Sequence, residues 1–65
     1  MAHRTITFIR QPDGFTVREF VEGTLEAVQS MTFERAFKRM TELKNEGFAL
    51  SGETRFRRYV YEKEV

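Results

Sequence analysis

The sequence predicts an α+β fold, a small antiparallel sheet with one helix laid across a face. Three observations point there. Residues 4–30 alternate apolar and polar side chains, with two interruptions at turn-type residues. Residues 30–48 switch to helical spacing, with a start signal and a stop signal. A further alternating, aromatic-rich stretch follows near the C-terminus. At 65 residues the chain reads as a single domain, 1–65.

The first strand is read over Arg4–Arg10, with Ile6 and Phe8 on its inward face. Gln11-Pro12-Asp13-Gly14 is a turn, with proline presetting one backbone angle and Gly14 expected to supply a positive φ. Phe15–Val21 is the second strand. Phe15, Val17, Glu19 and Val21 share one face; Thr16, Arg18 and Phe20 share the other. Glu22-Gly23 is a hairpin turn, and Thr24–Ser30 is the third strand, with Leu25 and Ala27 on one side and Val28 on the other. Ile9, Phe20 and Val28 then form a second apolar patch away from the helix. It is either a scatter of surface hydrophobes or a partner-binding surface.

The helix is expected over about residues 32–46. Phe33, Ala36, Phe37, Met40 and Leu43 fall within an arc of roughly 120°, which makes one side apolar. Thr32 is the cap, Glu34 suits the positive end of the helix dipole, and Gly47 with Phe48 ends the helix by bringing Phe48 back to Leu43. Phe48–Leu50 is a short apolar piece and Ser51-Gly52-Glu53 a turn. The last strand is expected at about 55–62, with Phe56 and Val60 on one side and Arg57, Tyr59 and Tyr61 on the other. It can lie beside the first strand or the third, or fold back on Phe48–Leu50. Lys63–Val65 is expected to fray.

Composition narrows the chemistry. There is no cysteine, so neither a disulfide nor a thiolate metal site can form. The one histidine, His3, is near an end and is expected to be solvated. Ser30 and Ser51 have no base near them in sequence, and the four glycines sit singly rather than in a phosphate-cradling loop. No cofactor, no metal and no catalysis are expected. No apolar run approaches the roughly 18 residues of a membrane span, and a cytoplasmic protein is expected.

What remains is binding. Arg55, Arg57 and Arg58 with Tyr59 and Tyr61 make a basic, aromatic stretch without an acid, a pattern that can hold phosphates and stack bases. The same residues can equally guard an edge strand and roof a core. Arg18 and Phe20 are the further candidate contacts. Net charge is +1, without the basic excess usual for strong nucleic-acid binding. Arg35, Lys38 and Arg39 on the helix are diluted by Glu34, Glu42 and Glu46 and read as solvated surface. Three partners therefore stand as expectations: a host protein whose surface is occluded, a nucleic acid, or a second copy joined through the last strand.

The run from Gly14 to Phe37, strand–turn–strand and then a Thr-capped helix, resembles the arm-site DNA-binding domains of phage-type integrases. The resemblance implies a three-stranded sheet gripping a major groove, with Thr16, Arg18 and Glu26 on the reading face. Residues 15–30 hold one Arg and three Glu, whereas strands of that family are typically rich in Lys and Arg. In size and mixed charge the chain also resembles phage accessory proteins of the anti-CRISPR kind, which implies inhibition of a host protein.

Overall fold

A computed structural model describes residues 2–54 and 57–64. The strands are β1 (His3–Gln11), β2 (Gly14–Val21), β3 (Thr24–Met31), β4 (Ala49–Thr54) and β5 (Arg58–Glu64), and the helix α1 (Phe33–Asn45) lies between β3 and β4. All neighbours in the sheet are antiparallel, in the order β3-β2-β1-β5-β4. The sequence reading is right about the α+β class, the β1-β2-β3 meander and the capped helix. Two of its alternatives for the last strand hold together. β5 pairs with β1 and also makes a hairpin with the segment after the helix.

Four expectations are corrected. Ser51-Gly52-Glu53 is strand rather than turn, with a register shift between Leu50 and Gly52 opposite Val60. Glycine inside a strand often marks such a bulge. Lys63 and Glu64 do not fray, because they pair with Arg4 and His3. β5 begins at Arg58, later than expected, and Arg55 and Phe56 lie outside the described residues. Gly14 has no positive φ; its role is close approach, since a Cβ there would sit 2.1 Å from the Met31 carbonyl oxygen.

The turn at Glu22-Gly23 is a two-residue connection with both residues at positive φ, 51° and 79°, as the twist of a tight hairpin requires. Glu22 is held there by β1: its amide donates to the His3 carbonyl at 2.8 Å, and its carboxylate accepts from the His3 amide at 2.7 Å. The helix starts as read, the Thr32 hydroxyl accepting from the Arg35 amide at 3.3 Å. It ends with Phe48 N–H on Leu43 C=O at 2.9 Å and Gly47 N–H, at φ 98°, on Lys44 C=O at 3.1 Å. This double return satisfies carbonyls that the last turn would otherwise leave unpaired.

The core is Ile6, Phe8, Phe15, Val17, Ala36, Met40, Leu43, Phe48 and Tyr61. Phe8 meets Phe15 and Tyr61 edge to face, at centroid distances of 6.2 and 5.7 Å. The buried line of the helix is Ala36, Met40 and Leu43, so Phe37, expected inside, sits on the flank and is 53% exposed. It still stacks on Phe33 and meets Phe15 edge to face. One helix about 10 Å wide spans roughly two strand spacings of about 4.8 Å, so a five-stranded sheet outgrows its cover. The outer strands show it: β3 is exposed along nearly its whole length, and Leu50 on β4 stays half out.

Candidate binding face

Strand alternation and register fix which residues share the face opposite α1. One row across the sheet runs Ser30, Thr16, Ile9, Arg58. The next runs Val28, Arg18, Thr7, Val60, Gly52. The third runs Leu25, Phe20, Thr5, Glu62, Ala49, with His3 and Glu64 below it. Leu25 joins this face because the register shift between Glu19 and Phe20 sets it opposite Phe20. No described element lies on these rows. Thr7 is buried even so, hemmed by Arg18 and Val60 on the neighbouring strands.

The result is an apolar belt of Ile9, Phe20, Leu25, Val28 and Val60 between two charged ends. Leu25 is 48% and Val28 54% exposed. Arg58 lies at one end, and His3, Glu62 and Glu64 lie at the other. Arg18 sits within the belt, between Val28 and Thr7. The patch of Ile9, Phe20 and Val28 anticipated from the sequence is real, and Leu25 and Val60 enlarge it.

The Arg-Tyr cluster does not hold together. Tyr59 and Tyr61 point to the helix side, where Tyr61 is buried against Phe8 and Tyr59 meets Phe15 at 6.0 Å. Arg58 faces the open side and Arg57 occupies a turn. Of the residues singled out, Arg18, Phe20 and Arg58 therefore share a face, Arg57 is next to it, Tyr59 and Tyr61 serve the interior, and Arg55 is outside the described residues. A base-stacking stripe would need both tyrosines exposed beside the arginines.

His3 is the residue whose role sequence reasoning missed. Its Nε2 lies 2.7 Å from the Glu62 carboxylate and its Nδ1 2.8 Å from that of Glu64. Two acceptors facing two ring nitrogens call for two donors, which only the imidazolium provides. The Glu64 contact, then that of Glu62, raises the His3 pKa above 6.5. Glu62 is lowered, first by the Ser51 hydroxyl beside it and then by His3. The groups do not converge on one point, and among the described residues no cluster suits a metal ion.

The consequence is a pH dependence with two limbs. Stability from His3 is complete below the imidazole's unfolded pKa and is lost as pH rises through its raised folded value. Stability from Glu62 is present above the ordinary carboxylate range and is lost as pH falls through its lowered folded value. Melting temperature measured against pH should therefore peak at mildly acidic pH, and His3→Gln should flatten the alkaline limb. A wild-type and a H3Q curve running parallel from pH 5 to 9 would refute the linkage. Both groups are exposed, so the effect is small.

No protein-family model, no curated protein and no solved structure matches this chain. A concavity of about 250 Å³ lined by Gln11, Asp13, Phe15, Thr16, Ser30, Met31 and Thr32 has one ionisable side chain, Asp13. That set offers polar contacts rather than a paired nucleophile and base. No helix among the described residues is long and apolar enough to cross a membrane.

Proposed function

We propose that this chain is a non-enzymatic binding protein that covers a surface of a larger host protein with the open face of its sheet, in the manner of phage and mobile-element modulators. One observation carries the reading: an apolar belt with half-exposed Leu25 and Val28 lies on a sheet face that no described element covers. Apolar surface gathered in one place, with arginine at its margin, has the composition of an interface centre. The near-neutral net charge favours a protein partner over a polyanion.

The test is capture from a bacterial host lysate with the immobilised chain, run beside an Arg18→Glu, Phe20→Ser double variant whose fold is verified by circular dichroism. A stoichiometric protein retained by the wild type and lost by the variant supports the reading. Recovery of none, or equal recovery by both, rejects it.

A nucleic acid is the second reading. The Arg10 amide donates to the Arg57 carbonyl at 2.6 Å and Arg58 is opposite Ile9, so three arginines share one end of the sheet, with Arg58 on the open face and Arg10 over the Phe33 ring on the helix side. That reading predicts binding of generic duplex or single-stranded DNA that falls steeply with salt and weakens in Arg58→Ala. No mobility shift at low salt removes it.

A further inference from the structure

The last strand cannot join two copies, because β5 lies inside the sheet between β1 and β4. The edges are β3 and β4, and they differ. β4 has six residues, contains Gly52 and carries the register shift beside it. Bulges and short length are the usual guards of an edge. β3 has eight residues, with no Lys, Arg or Pro and one charge, Glu26. Its one irregularity lies near Glu26, and from Ala27 to Met31 its pairing with β2 is unbroken. An unguarded edge presents a row of backbone donors and acceptors to another strand.

What could fill it is written on the helix flank above. α1 runs antiparallel to β3. Its start follows Met31 directly, and its end is tied by the Lys63 ammonium on the Glu46 carbonyl to the level where β3 begins. The flank on the β3 side frames a cleft of about 300 Å³ lined by Met31, Arg35, Lys38, Arg39 and Glu42. Along the flank the charges read Arg35, Lys38, Arg39, Glu42, Glu46, three positive and then two negative, and Arg35, Arg39, Glu42 and Glu46 fall on one line of the helix. Arg39 reaches Glu42 and Glu46 only at 3.5 and 3.4 Å, and no described acid pairs with Arg35.

A two-fold axis normal to the sheet sets such a flank antiparallel to its copy. Arg35 then faces Glu46 of the second copy, and Arg39 faces Glu42. The centre of this charge pattern lies between Arg39 and Glu42, about 11 Å along the helix from Phe33 at 1.5 Å per residue. Val28 lies about 10 Å back along the strand from Met31 at about 3.3 Å per residue. The strand and the helix therefore place the axis at one level. Antiparallel pairing about Val28 puts Glu26 opposite Ser30 and Ala27 opposite Gln29, with no like charges opposed.

We propose that the chain forms a symmetric dimer in which β3 pairs antiparallel with β3 of a second copy about Val28, the two helix flanks exchanging ion pairs above the seam. The sheet becomes ten strands wide, and the two copies of Leu25, Phe20 and Val28 meet at the middle of one open face. The dimer shares Leu25, Phe20 and Val28 with the occlusion proposal, and the charge exchange at Arg39 and Glu42 separates the two, because those residues lie on the helix and not on the open face.

Sedimentation equilibrium and cysteine cross-linking test it together. The wild type should show a concentration-dependent monomer–dimer equilibrium. The chain lacks cysteine, so Val28→Cys supplies a single thiol at an exposed position. Opposed residues have Cα atoms about 4.5–5.5 Å apart, inside the disulfide range, and V28C should cross-link on mild oxidation. Ser30→Cys should not, because its copy is about 13 Å away. Arg39→Glu should weaken the dimer about tenfold, and adding Glu42→Arg should restore it. A wild type that stays monomeric up to millimolar concentration overturns the proposal. So does cross-linking of S30C equal to that of V28C, or failure of the double exchange to recover association.

Discussion

Phe8→Ala is expected to remove a large share of the chain's stability at 25 °C. Phe8 is on the sheet's central strand, fully buried, and is touched by rings from both neighbouring strands. Truncating a buried phenylalanine costs about 3–5 kcal/mol, because transfer energy is lost and a cavity remains. At about 0.05–0.15 kcal/mol per residue, a chain this size has roughly 3–10 kcal/mol to lose, and no disulfide to fall back on. Phe37→Ala is the matched control. It removes the same ring from a half-exposed site and should cost about 1 kcal/mol, mostly from its ring contacts. Urea denaturation of both decides it. A Phe8→Ala midpoint no lower than that of Phe37→Ala would mean that the core is not organised around β1.

The contrast between these two phenylalanines shows what the sequence could and could not say. Helical spacing defined the apolar arc, and the Thr32 cap and the Gly47–Phe48 ending bounded the helix, because those signals are local. The centre of the arc is not local. It depends on where the sheet lies, and the sheet draws Ala36, Met40 and Leu43 inward while turning Phe37 to the rim. β1 carried a hint of its central place, with Ile6 and Phe8 on one face and Thr7 and Ile9 on the other. Apolar groups on both faces suit an interior strand. Its pairing with β5 joins the two ends of the chain, and no local pattern encodes that contact.

The candidate face was legible to the same depth. Alternation placed Arg18 and Phe20 on a common side correctly, since a strand's period is fixed. It could not decide which face of the last strand would be covered. Tyr59 and Tyr61 read equally as exposed partners of the arginines or as a roof on the core, and the structure takes the second, with their rings against Phe8 and Phe15. The three residues from Ser51 to Glu53 misled for a different reason. Ser and Gly are turn formers, yet here they lie in a bulged edge strand. His3 was missed because a terminal histidine has no signal of its own. Its two carboxylate partners come from the other end of the chain.

Gly14→Ala is expected to destabilise the fold by about 3 kcal/mol, although it adds one methyl group in a strand. The reason is distance. The new Cβ would lie 2.1 Å from the Met31 carbonyl oxygen and 3.3 Å from the Thr32 Cα. Both are backbone atoms, so no side chain can swing aside. β3 must move away from β2 just where Phe15 pairs with Met31 and where Thr32 caps the helix. The strain should therefore reach the first turn of α1, and amide exchange at Arg35 should accelerate along with the fall in melting temperature. Gly52→Ala isolates the cause. Its Cβ would meet only the Val60 side chain, at an ordinary 3.7 Å, and its φ is not in the left-handed region. Removing the freedom of glycine from the unfolded chain stabilises by about 0.4–1 kcal/mol at a compatible site, so Gly52→Ala should be neutral or better. Equal losses at Gly14 and Gly52 would show that general strand preference, rather than the contact of β2 with the end of β3, sets the requirement for glycine. Selective loss at Gly14 ties the β1–β2 turn, the end of the edge strand and the start of the helix into one steric unit.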